Sequence, residues 1–179
     1  MSGGKPRVAT IWLSGCSGCH MSFLDMDEFL IELGKLVDVV YGPLVDAKEF
    51  PKNVDITLVE GAVGNEDQLL LLLKARERSG SIIALGDCAV TGNVTALRNA
   101  WKDSDLAVLW RAYVELADVT PQIPLEVPKM LKKARPLHEV VRVEHFIPGC
   151  PPPAQLIRYV LTELLAGRAP AMEGRTKYG

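Results

Sequence analysis

Cys16 and Cys19 stand two residues apart in LSGCSGCHMSFLD (13–25), each preceded by a glycine. The chain has two other cysteines, each alone: Cys88 in GDCAVTGN and Cys150 in IPGCPPP. A thiolate is both a nucleophile and a soft metal ligand. A C-x2-C pair alone therefore suits a redox dithiol, half of a zinc site or half of an iron–sulfur site.

The elements around the cysteines narrow the choice. Residues 7–13 hold a nearly continuous apolar run (VATIWL), as expected of a strand covered on both faces. Residues 20–33 have apolar side chains near helical spacing, with Gly34 as a stop signal. Strands are expected at 37–41, 54–60, 81–85 and 139–147. Asn65 is placed to cap a helix over 66–79 that Gly80 ends. Some helix is expected within 95–113. The proline-punctuated stretch that follows reads as loop with a short helix. Gly149 and Pro151–Pro153 read as a rigid turn before a helix over 154–165. Alternating strands and helices imply an α/β fold: a flavodoxin-like, doubly wound, mainly parallel five-stranded sheet of order 2-1-3-4-5, with helices on both faces.

All four cysteines then fall just past the carboxyl ends of strands, the edge where open parallel sheets bind ligands. Gly15, Gly18, Gly86 and Gly149 lie beside them and permit close backbone approach. A four-thiolate site uses every cysteine, and ligation by four thiolates is the standard form of a [4Fe–4S] cluster, the leading reading. Zinc also accepts four thiolates, but structural zinc sites usually pair two knuckles, and here Cys88 and Cys150 form none. A dithiol explains Cys16 and Cys19 and leaves the other two unused.

At 179 residues the chain fits one domain, expected over 1–170, with a tail at 171–179. A formal net charge of −2 and the lack of a dense basic run argue against nucleic-acid binding. The longest apolar run, 69–73, is too short to span a bilayer, and the N-terminus shows no secretory pattern. The expectation is a soluble cytoplasmic protein.

GCSGCHMSFLD, LVEGAV, ALGDCAVTGN and IPGCPPP, in that order, resemble the small subunit of [NiFe] hydrogenases, most nearly the cytoplasmic bidirectional NAD-reducing group. The resemblance runs from residue 7 to about 165. The related complex I subunit that holds the terminal cluster has adjacent cysteines at the first motif, whereas this chain has a two-residue gap. The resemblance implies that Cys16, Cys19, Cys88 and Cys150 ligate one proximal [4Fe–4S] cluster. It also implies a large subunit carrying the [NiFe] centre, and iron–sulfur and flavin (diaphorase) subunits carrying FMN and NAD. The reaction of the whole would be H2 + NAD+ = H+ + NADH, and this chain would not be catalytic alone. A ferredoxin-linked, membrane-associated hydrogenase of the short type is the alternative. A zinc-stabilised flavodoxin-like binding module is the alternative of a different class.

Other residues carry weaker signals. Glu60 ends LVEGAV and reads either as a polar group or proton path beside the cluster, or as a solvated loop carboxylate. His20 could approach the cluster or a partner, though capping or packing at a helix start is the simpler role. Asp87 reads as a turn former. Trp101, Trp110 and Tyr113 lie in or near an apolar stretch whose second face could meet a partner. A flavodoxin-like fold also raises an FMN at the sheet edge, but the loop that would hold its phosphate carries the two cysteines here.

Overall fold

The computed structural model describes residues 4–100, 106–116 (side chains from 111) and 126–178. Along the chain the elements are β1 (Arg7–Trp12), α1 (Gly18–Leu24), α2 (Phe29–Leu36), β2 (Asp38–Tyr41), β3 (Val54–Glu60), β4 (Val63–Asn65), α3 (Glu66–Arg78), β5 (Ser79–Leu85), α4 (Asp87–Thr91), α5 (Leu106–Leu116), β6 (Met130–Arg135), β7 (His145–Ile147) and α6 (Ala154–Leu165). Short 3-10 turns occupy Asn93–Ala100 and Leu137–Glu139.

Five strands form a parallel sheet in the order β2-β1-β3-β5-β7, the expected 2-1-3-4-5 arrangement. The central strands are buried on both faces, which explains their continuous apolar runs. Alternate residues serve opposite cores. Ala9, Ile11, Val59, Ile82 and Ala84 pack with Leu72 and Ala75 of α3 and Ala89 of α4. Val8, Ile56, Leu58, Ile83 and Leu85 pack with Leu33 of α2 and with Leu156, Ile157, Val160 and Leu161 of α6. The α6 residues recur at one-and-four spacing, a single helical stripe. The sheet is thus covered on both faces. Among the described residues no helix is long and apolar enough to cross a membrane.

The structure departs from the sequence expectations in four places. The helix expected over 20–33 is two helices. Asp27 takes a left-handed backbone (φ 49°), which aspartate tolerates, and the N–H groups of Met26, Asp27 and Phe29 reach carbonyls three residues back. Met26 and Leu33 both stay buried, so the apolar stripe survives the break and hides it. Gly80 does not stop α3. It lies inside β5, where a Cβ would come within 3.0 Å of Asp55 O, and α3 runs into β5 because Ser79 is already extended. The carbonyls of Ser79 and Gly80 accept hydrogen bonds from Arg76. A strand that the sequence pattern does not announce, β6, pairs antiparallel with β4. Its two exposed lysines in a row conceal any period-two pattern. The strand expected over 139–147 shrinks to three residues, because Val140 and Val141 enter a core from a turn rather than a ladder. Past α6 the chain lies back on that helix: Ala171 N–H donates to the Tyr159 hydroxyl, and the Arg175 guanidinium sits 4.4 Å from the Tyr159 ring centre. Of the three aromatic residues near the apolar stretch, Trp101 and the Trp110 side chain fall outside the described residues, and Tyr113 is exposed.

The α6 stripe yields a test of the core. Ile157 is fully buried against the sheet. Ile157→Ala should cost about 2–5 kcal/mol. In urea unfolding the midpoint should fall while the slope is retained.

Candidate functional site

The strands end in register. Trp12 pairs with Glu60, Glu60 with Leu85, and Leu85 with Ile147, so the last residues of β1, β3, β5 and β7 form one row. Three of these strand ends deliver the cysteines. Cys16 and Cys19 lie between β1 and the first turn of α1, Cys88 is the second residue of α4, and Cys150 follows β7 by three residues. Cys19 is buried, Cys88 half-buried, and Cys16 and Cys150 exposed. All four are free thiols.

The thiols at this edge feel one another's charge. Burial pushes the Cys19 thiol well above the ordinary range, and the charges of Glu60, Cys88, Cys16 and Cys150 push the same way. Cys88 is also raised, first by burial and then by Cys150 and Cys16, with hydrogen bonding from Thr95 acting against them. Thr95 is a neighbour of the site with no motif of its own. Only its position three residues past Gly92 could suggest that the chain turns back to Cys88.

Gly86 makes the closest approach. Its φ is +83°, and a Cβ there would collide with the Cys19 sulfur. Only a glycine lets the backbone pass that close. The Gly18 N–H donates to the Cys16 sulfur at 3.4 Å.

Ties between loops hold this rim together. Leu13 N–H donates to Glu60 O, and Ser14 and Ala62 exchange backbone hydrogen bonds. The Ser22 hydroxyl, buried on α1, donates to Pro152 O at 2.5 Å and so links the Cys19 helix to the Cys150 loop. Asp87 links the Cys88 and Cys150 loops. Neither Ser22 nor Asp87 carries the sequence signal of a site residue. Asp87, expected as a turn former, is buried.

Glu60 and His20 are brought together. Glu60 is 2 % exposed, not a solvated loop carboxylate. Its Oε2 accepts the His20 backbone N–H at 2.9 Å and lies 2.5 Å from His20 Nδ1. The other ring nitrogen, Nε2, is buried with no hydrogen-bond partner among the described residues. His20 also lines an apolar cavity of about 300 Å3 with Val8, Trp12, Phe23, Leu24 and Leu33. Among the described residues no three His, Cys, Asp or Glu side chains converge on a single-ion position.

A family model described as NADH ubiquinone oxidoreductase, 20 Kd subunit, matches residues 16–164, a span that holds all four cysteines. The chain is 42 % identical over 171 residues to the NAD-reducing hydrogenase HoxS subunit delta of Cupriavidus necator, covering 92 % of this chain and 81 % of that one. It is 37 % identical over 171 residues to a subunit of the F420-non-reducing hydrogenase vhu of Methanocaldococcus jannaschii, covering 93 % of this chain and 58 % of that one. It thus spans little more than half of that archaeal relative. A chain of the crystal structure of NAD+-reducing [NiFe]-hydrogenase in the H2-reduced state superposes with a TM-score of 0.91 at 36 % identity, over 98 % of this chain and all of that one.

The raised thiols give a pH prediction for the metal-free chain. The folded state keeps the Cys19 and Cys88 protons at a pH where an unfolded thiol, with a pKa of about 8.5, loses them. Their contribution to stability is therefore complete below about pH 8.5 and is lost as pH climbs above it. The urea midpoint should fall between about pH 8 and 10. The fall should be smaller in Cys19→Ser, which has no thiol to ionise there.

Proposed function

The chain belongs to the family of the NADH ubiquinone oxidoreductase 20 kDa subunit, and on that premise we propose that it is the electron-transfer small subunit of a cytoplasmic NAD-reducing [NiFe] hydrogenase. The observation that carries this reading is the delivery of four cysteines by three loops to one sheet edge. Cys16, Cys19, Cys88 and Cys150 would hold one [4Fe–4S] cluster. The donor set fits, since four thiolates are the standard ligation of such a cluster. The backbone fits as well, because Gly86 leaves no side chain over the Cys19 sulfur.

Bound there, the cluster supplies one-electron redox chemistry. The chain's own part is to hold and orient. Cys19 anchors the site on the protein side, while Cys16 and Cys150 form its open rim. That rim faces the large subunit, whose [NiFe] centre handles hydrogen. Hydride delivery to NAD+ needs two electrons together, so an FMN on a partner diaphorase subunit must collect them. Further iron–sulfur subunits bridge the distance. Glu60 holds the His20 N–H and so fixes the start of α1, and the pair offers a proton site next in sequence to Cys19.

Metal analysis tests the reading first. The anaerobically purified complex should contain about four iron and four acid-labile sulfides per chain of this type. One zinc with no sulfide would mean a zinc-stabilised module instead. Cys88→Ser should lose iron and hydrogen-dependent NAD+ reduction as fully as Cys16→Ser. A dithiol would leave Cys88 dispensable. Glu60→Gln keeps an acceptor for the His20 N–H, so iron content should hold while turnover falls. Unchanged turnover at every accessible pH would remove Glu60 from the proton path. The isolated chain should show no hydrogenase activity, and pairing it with the large subunit should restore hydrogen-dependent dye reduction.

A further inference from the structure

We propose that Asp87 is a positioning residue: its carboxylate clamps the Cys150 loop to the Cys88 loop and so sets the spacing of two of the four sulfurs. The inference rests on the four-thiolate reading and goes beyond it in assigning a residue outside the ligand set.

Asp87 stands two residues past the end of β5 and opens α4, yet it is only 4 % exposed. Aspartate is seldom buried unless it is engaged. Its Oδ1 accepts the Gly149 N–H at 2.7 Å, and its own N–H donates to Gly149 O at 2.9 Å. One residue earlier, Gly86 N–H donates to Ile147 O at 2.8 Å. Three hydrogen bonds thus join loops that are sixty-two residues apart, the separation of Asp87 and Gly149.

The carboxylate does what the backbone cannot do here. Sheet pairing between β5 and β7 ends at Leu85 and Ile147. Beyond it the β5 chain turns into α4, where the Asp87 carbonyl is taken by the Thr91 hydroxyl. The side chain supplies the acceptor that the Gly149 N–H would have found in a longer strand. Gly149 is itself committed: its φ is +138°, and a Cβ would meet Pro152 Cα at 2.5 Å. Its peptide can therefore present the N–H to Asp87 only with glycine at this position. Cys88 is the residue after Asp87, and Cys150 is the residue after Gly149. Loss of the carboxylate bond loosens the join next to both sulfurs, leaving only the two backbone bonds across it, and strands a buried N–H without its acceptor. A carboxylate acceptor makes this hydrogen bond stronger than a neutral one.

The test uses the full chain with Asp87→Ala, Asp87→Asn and Asp87→Glu. Hydrogen exchange at the Gly149 amide, read in the metal-free chain, should be at least about tenfold faster in D87A than in wild type. D87N retains an acceptor oxygen and should stay within a few-fold of wild type. D87E, one methylene too long for the buried gap, should fall between them. After anaerobic reconstitution with iron and sulfide, D87A should release iron to a chelator faster and show a broadened EPR signal, and D87N should restore both. A Gly149 amide as slow in D87A as in wild type, or D87N behaving like D87A, would overturn the proposal. If D87A fails to fold, D87N and D87E still decide it. Wild-type chain that takes up no iron and sulfide would sink the cluster reading, while the exchange measurement would still judge Asp87.

Discussion

Five parallel strands that end in one row are the constraint on which the site depends. Parallel neighbours require a crossover between each pair, so groups that meet at the carboxyl edge must be far apart in sequence. Cys16, Cys88 and Cys150 are so separated, yet each lies three or four residues past a strand end. Trp12, Glu60, Leu85 and Ile147 mark that row. An antiparallel sheet of the same strands would send alternate loops to opposite edges and divide the cysteines. Burial of β1, β3 and β5 on both faces pins the register, and the register pins the row.

Burial makes negative charge on the thiols at this edge costly. Burial and the neighbouring thiolates raise Cys19, and Glu60 adds a further negative influence from behind. In the metal-free chain Cys19 and Cys88 keep their protons to higher pH than free thiols do. Iron would replace those protons, so loading must release them and must couple to the stability of the loops. The Gly18 N–H, which donates to the Cys16 sulfur, already sets one protein donor against a thiol of this edge.

Much of this is legible in the sequence. The strand Val54–Glu60 and the helix Ala154–Leu165 lie where the apolar pattern puts them, because Gly61 closes the first run and Gly167 follows the second. Asn65 caps α3 as its side-chain type suggests, accepting the Gln68 N–H. The departures share a cause: tertiary context that spacing does not encode. The break at Asp27 preserves the buried stripe on both sides. Gly80 has the look of a helix stop because nothing local reveals that Asp55 O lies against it. The strand β6 exists only through its partner β4. Asp87 shows the same limit at the site, since a turn-forming aspartate and a buried clamp are identical in sequence. What distinguishes them is Gly149, which only the fold brings near. The positions of Cys16, Cys19, Cys88 and Cys150 can be inferred from strand ends; the ties between their loops cannot.

Those ties explain why a domain of this size can keep a site on loops at all. A group that takes and returns an electron works best when its ligands do not rearrange, and loops are the parts of a fold most free to do so. Here each loop is fastened to another. The β1 loop is bound to the β3 loop through Ser14 and Ala62, and α1 to Glu60 through the His20 N–H. The Cys19 helix is bound to the Cys150 loop through Ser22, and that loop to the Cys88 loop through Asp87. Ser22, Glu60 and Asp87 are all buried polar side chains. Burying them is costly unless they are paired, so each bond is enforced by the desolvation its loss would expose. The paired polar groups thus fasten the β1, Cys150 and Cys88 loops in series, through bonds made below the sheet edge by side chains that are themselves buried.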